Sequence, residues 1–160
     1  MNTATTIEQG KTLRYEKVAS FRGKLTASEI NDALQHFVRK LQESGAQKAG
    51  PMISATHSVE IVNGEQMLDI EFLVAIDRVI ELNSPYKFKD VFQLVNALYT
   101  RYVGDPNKIE DAYNELFTYI LRHELQQITS VYNVNVNDDK IQYGESPFFD
   151  LYISINPNNI

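Results

Sequence analysis

Three things are missing from this 160-residue chain, and each absence narrows what it can do. Cysteine is absent, so disulfides, thiolate zinc sites, iron–sulfur clusters and cysteine nucleophiles are excluded. A basic surplus is absent: 15 Lys and Arg stand against 21 Asp and Glu, for a net charge of −6. Phosphate contacts need a basic surface, so a general nucleic-acid binder is not expected. Long apolar runs are absent too. The longest apolar-rich stretch, residues 67–80, is broken by Asp69, Glu71 and Asp77, and a membrane helix needs about 18 unbroken apolar residues. The first eleven residues are polar and threonine-rich, without the basic start and apolar run of a signal peptide. A soluble, cytoplasmic protein with a flexible segment at residues 1–11 is expected.

What is present is ordinary globular material. Hydrophobic residues at 43% and charged residues at 22% exclude wholesale disorder, and the length suits one domain with a real core.

The residue pattern divides into two similar halves. Leu13, Tyr15, Ala19 and Phe21 share one parity of a strand over 13–21. Thr26, followed by Glu29 three residues on, is a capping box. Ile30, Ala33, Leu34, Phe37, Val38 and Leu41 then recur at helical spacing, and Gly45 stops the helix. After Gly50-Pro51, a strand with Ile53, Ala55, His57, Val59 and Ile61 on one face leads to Asn63-Gly64, a hairpin turn signal. The returning strand alternates Leu68, Ile70, Phe72, Val74 and Ile76 with Met67, Asp69, Glu71 and Leu73. The second half repeats this order. Residues 91–102 favour strand, Asp105-Pro106 opens a helix striped by Ile109, Ala112, Tyr113, Leu116, Phe117, Ile120 and Leu121, and strands follow at 128–136 and 149–155.

A shift of 79 lays the first helix stripe on the second and Ile53, Ala55 and His57 on Tyr132, Val134 and Val136. A shift of 81 lays Asp69 and Ile70 on Asp150 and Leu151, as if the second hairpin had a longer loop. The chain therefore reads as a duplication within one domain of residues 12–160, with repeats at about 12–80 and 88–156. The expected fold is α+β: an antiparallel sheet with both helices on one face and a groove between pseudo-twofold repeats.

This order resembles the GyrI-like effector-binding domain family. The resemblance rests on residues 33–37 through Gly50-Pro51, on residues 102–106 through 112–116, and on residues 150–155. It implies a small-molecule binding protein of the kind found as the ligand domain of bacterial multidrug sensors. It also implies an acid near the last strand, in an aromatic-lined cleft, that meets cationic lipophilic ligands. Asp150, flanked by Phe148 and Tyr152, takes that place, where the family more often has the longer Glu. With about a dozen residues before Leu13, no helix-turn-helix is expected, and hence no direct nucleic-acid partner.

The candidate ligand residues are Asp150, Tyr152, Glu71, Asp69, Tyr99 and Tyr132. For Asp69 and Asp150 the competing reading is a polar residue on the solvated face of a half-buried strand. Glu71 and Asp69 share a face and could raise one pKa for acid–base work; solvent exposure is the preferred reading of Glu71. The tyrosines could stack on a planar or cationic ligand or simply edge a core. Tyr113 and Phe117 read as core, and His57 as a core or cleft histidine. His36, His57 and His123 have no metal-ligand spacing, and no phosphate-binding glycine motif or Gly-x-Ser-x-Gly is present. No cofactor, metal or catalytic set is expected. A non-enzymatic binder of a small hydrophobic or cationic molecule, monomeric or homodimeric, ranks first. A protein-interaction or inhibitory module ranks second, and a hydrolase of small hydrophobic substrates third.

Overall fold

A computed structural model describes residues 6–139 and 144–158. In chain order the elements are β1 (Glu8–Thr26), α1 (Ala27–Glu43), β2 (Ile53–Val62), β3 (Glu65–Ala75), β4 (Tyr86–Val103), a one-turn 3-10 helix (Pro106–Lys108), α2 (Glu110–Arg122), β5 (Tyr132–Asn135) and β6 (Phe148–Ser154). Six antiparallel strands and two helices make the expected α+β fold. The chain divides into two compact units, residues 15–92 and residues 1–14 with 93–160. β1 begins at Glu8, so residues 8–11 of the segment expected to be flexible are strand; residues 1–5 lie outside the described residues.

In the unit of residues 15–92 the strand order is β1-β3-β2. β2 and β3 join through Asn63 and Gly64, with φ of 52° and 81°. Two consecutive positive φ angles match the twist of paired strands, which is why Asn-Gly signals a hairpin. α1 starts where Glu29 accepts hydrogen bonds from the Thr26 N–H and hydroxyl, both at 2.9 Å. Its buried residues Phe37 and Leu41 pack with Phe21, Ile70, Phe72, Val74 and Ile76. The rings of Phe37 and Tyr86 stack at 5.7 Å.

In the other unit the order is β4-β6-β5. Asp105 accepts from the Asn107 N–H at 2.9 Å and so caps the 3-10 turn, which leads into α2. Ala112, Leu116 and Ile120 pack with Leu98, Tyr102, Leu151 and Ile153. Phe117, read as core from its place on the stripe, is 38% exposed. Val38, at the equivalent place on α1, is also 38% exposed. On both helices the buried face is narrower than the apolar stripe.

The duplication is written into the backbone, at one constant offset. The bridge Lys48↔Ile76 recurs as Gln127↔Ile155, and the register pair Arg22↔Glu71 recurs as Arg101↔Asp150, each displaced by 79. Lys17 and Asn96, also 79 apart, have φ of 53° and 50°. So do Gly45 and Glu124 past the two helices, with φ of 78° and 54°. The expected change to a shift of 81 does not occur. Asp150 is the counterpart of Glu71, not of Asp69, whose counterpart is Phe148. A two-residue slip keeps every side chain on its face, so alternation alone cannot detect it. The second hairpin differs in its shorter outgoing strand: β5 covers only Tyr132–Asn135 of the expected 128–136. Ile128 is 61% exposed there. Asn137 ties the following loop to β6, donating to the Ser146 carbonyl at 3.0 Å and accepting from the Phe148 N–H at 3.1 Å.

The sheet face opposite α1 departs from expectation. It was expected to be solvated, yet Val18, Ser20, Ile53, Ala55, Glu71 and Leu73 are all buried. At these positions the strands are covered on both faces, so Ser20 and Glu71 are enclosed, while Arg22, on the same parity further along β1, stays exposed.

Candidate functional site

Glu71 and Asp150 occupy equivalent positions in the two units, and both are held by hydrogen bonds to neighbouring strands. Their surroundings differ.

In the unit of residues 15–92, Glu71 is 5% exposed. This overturns the solvent-exposed reading. His57 Nε2 donates to its Oε1 at 2.8 Å, and Lys89 Nζ donates to its Oε2 at 3.4 Å. His57 reaches it through a bulge in β2: Thr56 pairs with Ile70 and Ser58 with Asp69, which leaves His57 as the extra residue. A bulge of this kind re-aims one side chain. Asp69, on the same face as Glu71, is bound twice by Arg22, from Nε to Oδ1 at 3.0 Å and from Nη2 to Oδ2 at 2.9 Å. Those bonds hold the Asp69 carboxyl below its ordinary range. The two acids therefore each have a cation of their own, Arg22 for Asp69 and Lys89 for Glu71. Beside Glu71 opens a cleft of about 330 Å³ lined by Ser20, Arg22, Glu71, Ser84, Pro85, Lys87 and Lys89.

In the other unit, Asp150 accepts from the Tyr99 hydroxyl at 2.9 Å and from Arg101 Nε at 2.8 Å, with Arg101 Nη2 to Oδ2 at 3.1 Å. The Arg101 guanidinium also lies 4.8 Å from the centre of the Phe148 ring. Tyr152 packs against Tyr99 at 5.1 Å between ring centres and pairs in register with Tyr132. Burial, and then the adjacent Asp150, raise the Tyr99 hydroxyl above its usual range. The hydrogen bond to Asp150 raises Arg101 as well. Four candidates from the sequence, Asp150, Tyr152, Tyr99 and Tyr132, thus come together in this unit, while Glu71 and Asp69 meet in the other. The carboxylate and aromatic ring expected to receive a cation already hold one, supplied by the chain.

Arg22, Arg101, Lys89 and His57 are absent from the sequence-derived site. Two of them left a trace, since Arg22 and Arg101 differ by the same 79 as the rest of the repeat. Strand register is what connects them to the acids. Lys89 left none.

A wider concavity of about 620 Å³ lies along α2, lined by residues that include Asp111, Asn114, Thr118, Arg122 and His123. All five are exposed, so it is a solvated helix face. The Glu71 cleft is smaller but carries an enclosed acid, and it is the better candidate. Among the described residues no cluster of three or more His, Asp or Glu is placed to hold a metal ion, and no helix is long and apolar enough to cross a membrane.

No family model matches this chain, and no curated protein matches it. Solved structures do. The EcmrR C-terminal domain aligns with a TM-score of 0.71 at 12% identity, over 98% of each chain. EcmrR in a complex with DNA aligns with a TM-score of 0.69 at 11% identity, over 94% of this chain and 57% of that one. The present chain therefore spans a little over half the length of that protein. A hydrolase from Listeria innocua aligns with a TM-score of 0.53 at 13% identity, over 92% of each chain. At such identities the likeness is one of fold, the fold of the EcmrR C-terminal domain.

Proposed function

We propose that this chain is a small-molecule binding protein that holds its ligand at the Glu71 cleft without transforming it. The observation that carries the reading is a carboxylate 5% exposed on a sheet, facing a cleft of about 330 Å³. Burying an ionised carboxylate is costly, and apolar side chains would fill the same space as well or better. An enclosed acid beside a cavity is a standard mark of a binding site. The shared fold with the EcmrR C-terminal domain supports the reading at the level of architecture. Asp150 is a weaker choice because Arg101 grips both of its oxygens, at 2.8 and 3.1 Å, and Tyr99 adds a third bond at 2.9 Å, whereas the cation beside Glu71 makes one long contact of 3.4 Å.

The test is an NMR screen of a chemically diverse fragment library against the isotopically labelled chain. Saturable shifts confined to the amides of Ser20, Arg22, Glu71 and Lys89, reduced at least tenfold in apparent affinity by Glu71→Gln, are the expected result. Hits that gather elsewhere, or no saturable hit, would sink the proposal.

A further inference from the structure

Resting on that reading, we infer that the ligand of the Glu71 cleft is a small zwitterion: an anionic group and a hydrogen-bond-donating ammonium on one molecule, as in an amino acid. The argument is one of charge and position.

The cleft is lined by three cationic side chains, Arg22, Lys87 and Lys89, and by one acid, Glu71. This is the reverse of the whole chain, which carries −6. Asp69, bound to Arg22, adds one further negative charge just outside the lining. Across these five side chains the balance is positive by one. Lys87 is exposed and has no ion-pair partner among the described residues. A purely cationic ligand would meet this surplus and be repelled. The cleft therefore does not suit the cationic lipophile implied by the sequence resemblance.

A simple anion is not suited either. Glu71 lies at the enclosed side of the cleft, where a second carboxylate close by would be repelled in low dielectric. Depth separates the two charges. The acid is buried, and Lys87 stands in solvent. A ligand that turns a donor inward to Glu71 and an anionic end outward to Lys87 and Lys89 satisfies both. The hydroxyls of Ser20 and Ser84 line the same space and can serve either end. A volume of about 330 Å³ is at the small end of ligand pockets, which fits a molecule of amino-acid size.

Matched probe triplets test this by NMR titration of the full chain. Each of several amino acids (leucine, glutamine and phenylalanine suffice to vary the side chain) is compared with its decarboxylated amine and with its deaminated acid. The expected result is at least one amino acid that shifts the Ser20, Glu71 and Lys89 amides with an affinity tenfold or more above both partners. Lys87→Glu, an exposed change that leaves the core alone, is expected to weaken that amino acid at least tenfold. An amine that binds the cleft as tightly as its parent amino acid, or an affinity unchanged in Lys87→Glu, overturns the zwitterion and leaves small-molecule binding standing. If no triplet member moves these amides while the fragment screen finds other ligands there, the zwitterion alone is wrong. If that screen is empty too, both readings fall.

Discussion

Arg101 on β4 grips both carboxylate oxygens of Asp150 on β6, Nε to Oδ1 at 2.8 Å and Nη2 to Oδ2 at 3.1 Å. The pair sits opposite in register, so backbone pairing itself delivers the two groups to each other. Asp150 retains 14% side-chain exposure and Arg101 43%. The arrangement is a fork-to-fork ion pair in partial shelter.

Its role is structural, and a double-mutant cycle of Arg101→Met and Asp150→Asn should show it. The expected coupling is about 1 kcal/mol, above the usual value for an open surface pair but limited by solvent at Arg101. It is read from urea midpoints at constant slope. A coupling indistinguishable from zero would make the pair decorative.

Glu71 is more exacting because it is enclosed. His57→Ala strips it of the closer of its two named donors and leaves the acid in place. A loss of about 2 kcal/mol is expected, since Lys89 remains to offset the charge. Glu71→Gln keeps an oxygen that can accept from His57 and should cost less. The reverse ranking of the two variants would mean that the carboxylate's charge, rather than its hydrogen bond, is what the fold requires.

Acid should expose a different group. Hydrogen bonds from Arg78 and from the Gln47 N–H bring the Asp77 carboxyl down to about 2. A folded pKa below the unfolded value of 3.8 stabilises the native state above that value. The contribution is lost as pH falls from there through the folded pKa. Asp77→Asn should therefore lower the melting temperature at neutral pH and have no effect once the pH is at or below about 2. Thermal scans of both proteins across that window provide the check, and a deficit that persists in acid would contradict the assignment.

The two helix exits make an internal comparison. Gly45 has φ +78°, with only the Arg78 guanidinium within 4 Å of where a Cβ would stand. Glu124, its counterpart, takes φ 54° with a full side chain. Left-handed backbone suits glycine and strains other residues. Glu124→Gly should stabilise the protein by about 0.5–1 kcal/mol, and Gly45→Ala should destabilise it by about 1 kcal/mol. Denaturant midpoints of the two single variants decide the matter; equal signs would rule out backbone strain as the cause.

Much of this was legible in the residues. The capping acid Glu29 beside Thr26, the Asn63-Gly64 turn, the stripes of Phe37 with Leu41 and of Leu116 with Ile120, and the duplication itself all follow from local chemistry and short-range period. The site was legible only in part. Asp69, Glu71, Asp150 and the tyrosines were found because acids and aromatics stand out in apolar strands. Their partners were missed because Arg22 lies 47 residues from Asp69 and Arg101 lies 49 from Asp150. No local period connects residues so far apart.

The sequence by itself determined which segments are helix and which are strand, and that the chain is a doubled unit of α+β type. Those properties depend on residues within a turn or a pleat of one another. The tertiary structure alone decided that the repeat keeps an offset of 79, that Glu71 rather than Asp69 matches Asp150, and that Glu71 is enclosed. Register and burial are set by long-range packing, and a slip of two residues leaves the hydrophobic pattern unchanged while exchanging every cross-strand partner. The six excess negative charges of the chain likewise gave no hint of a cleft in which cations outnumber acids.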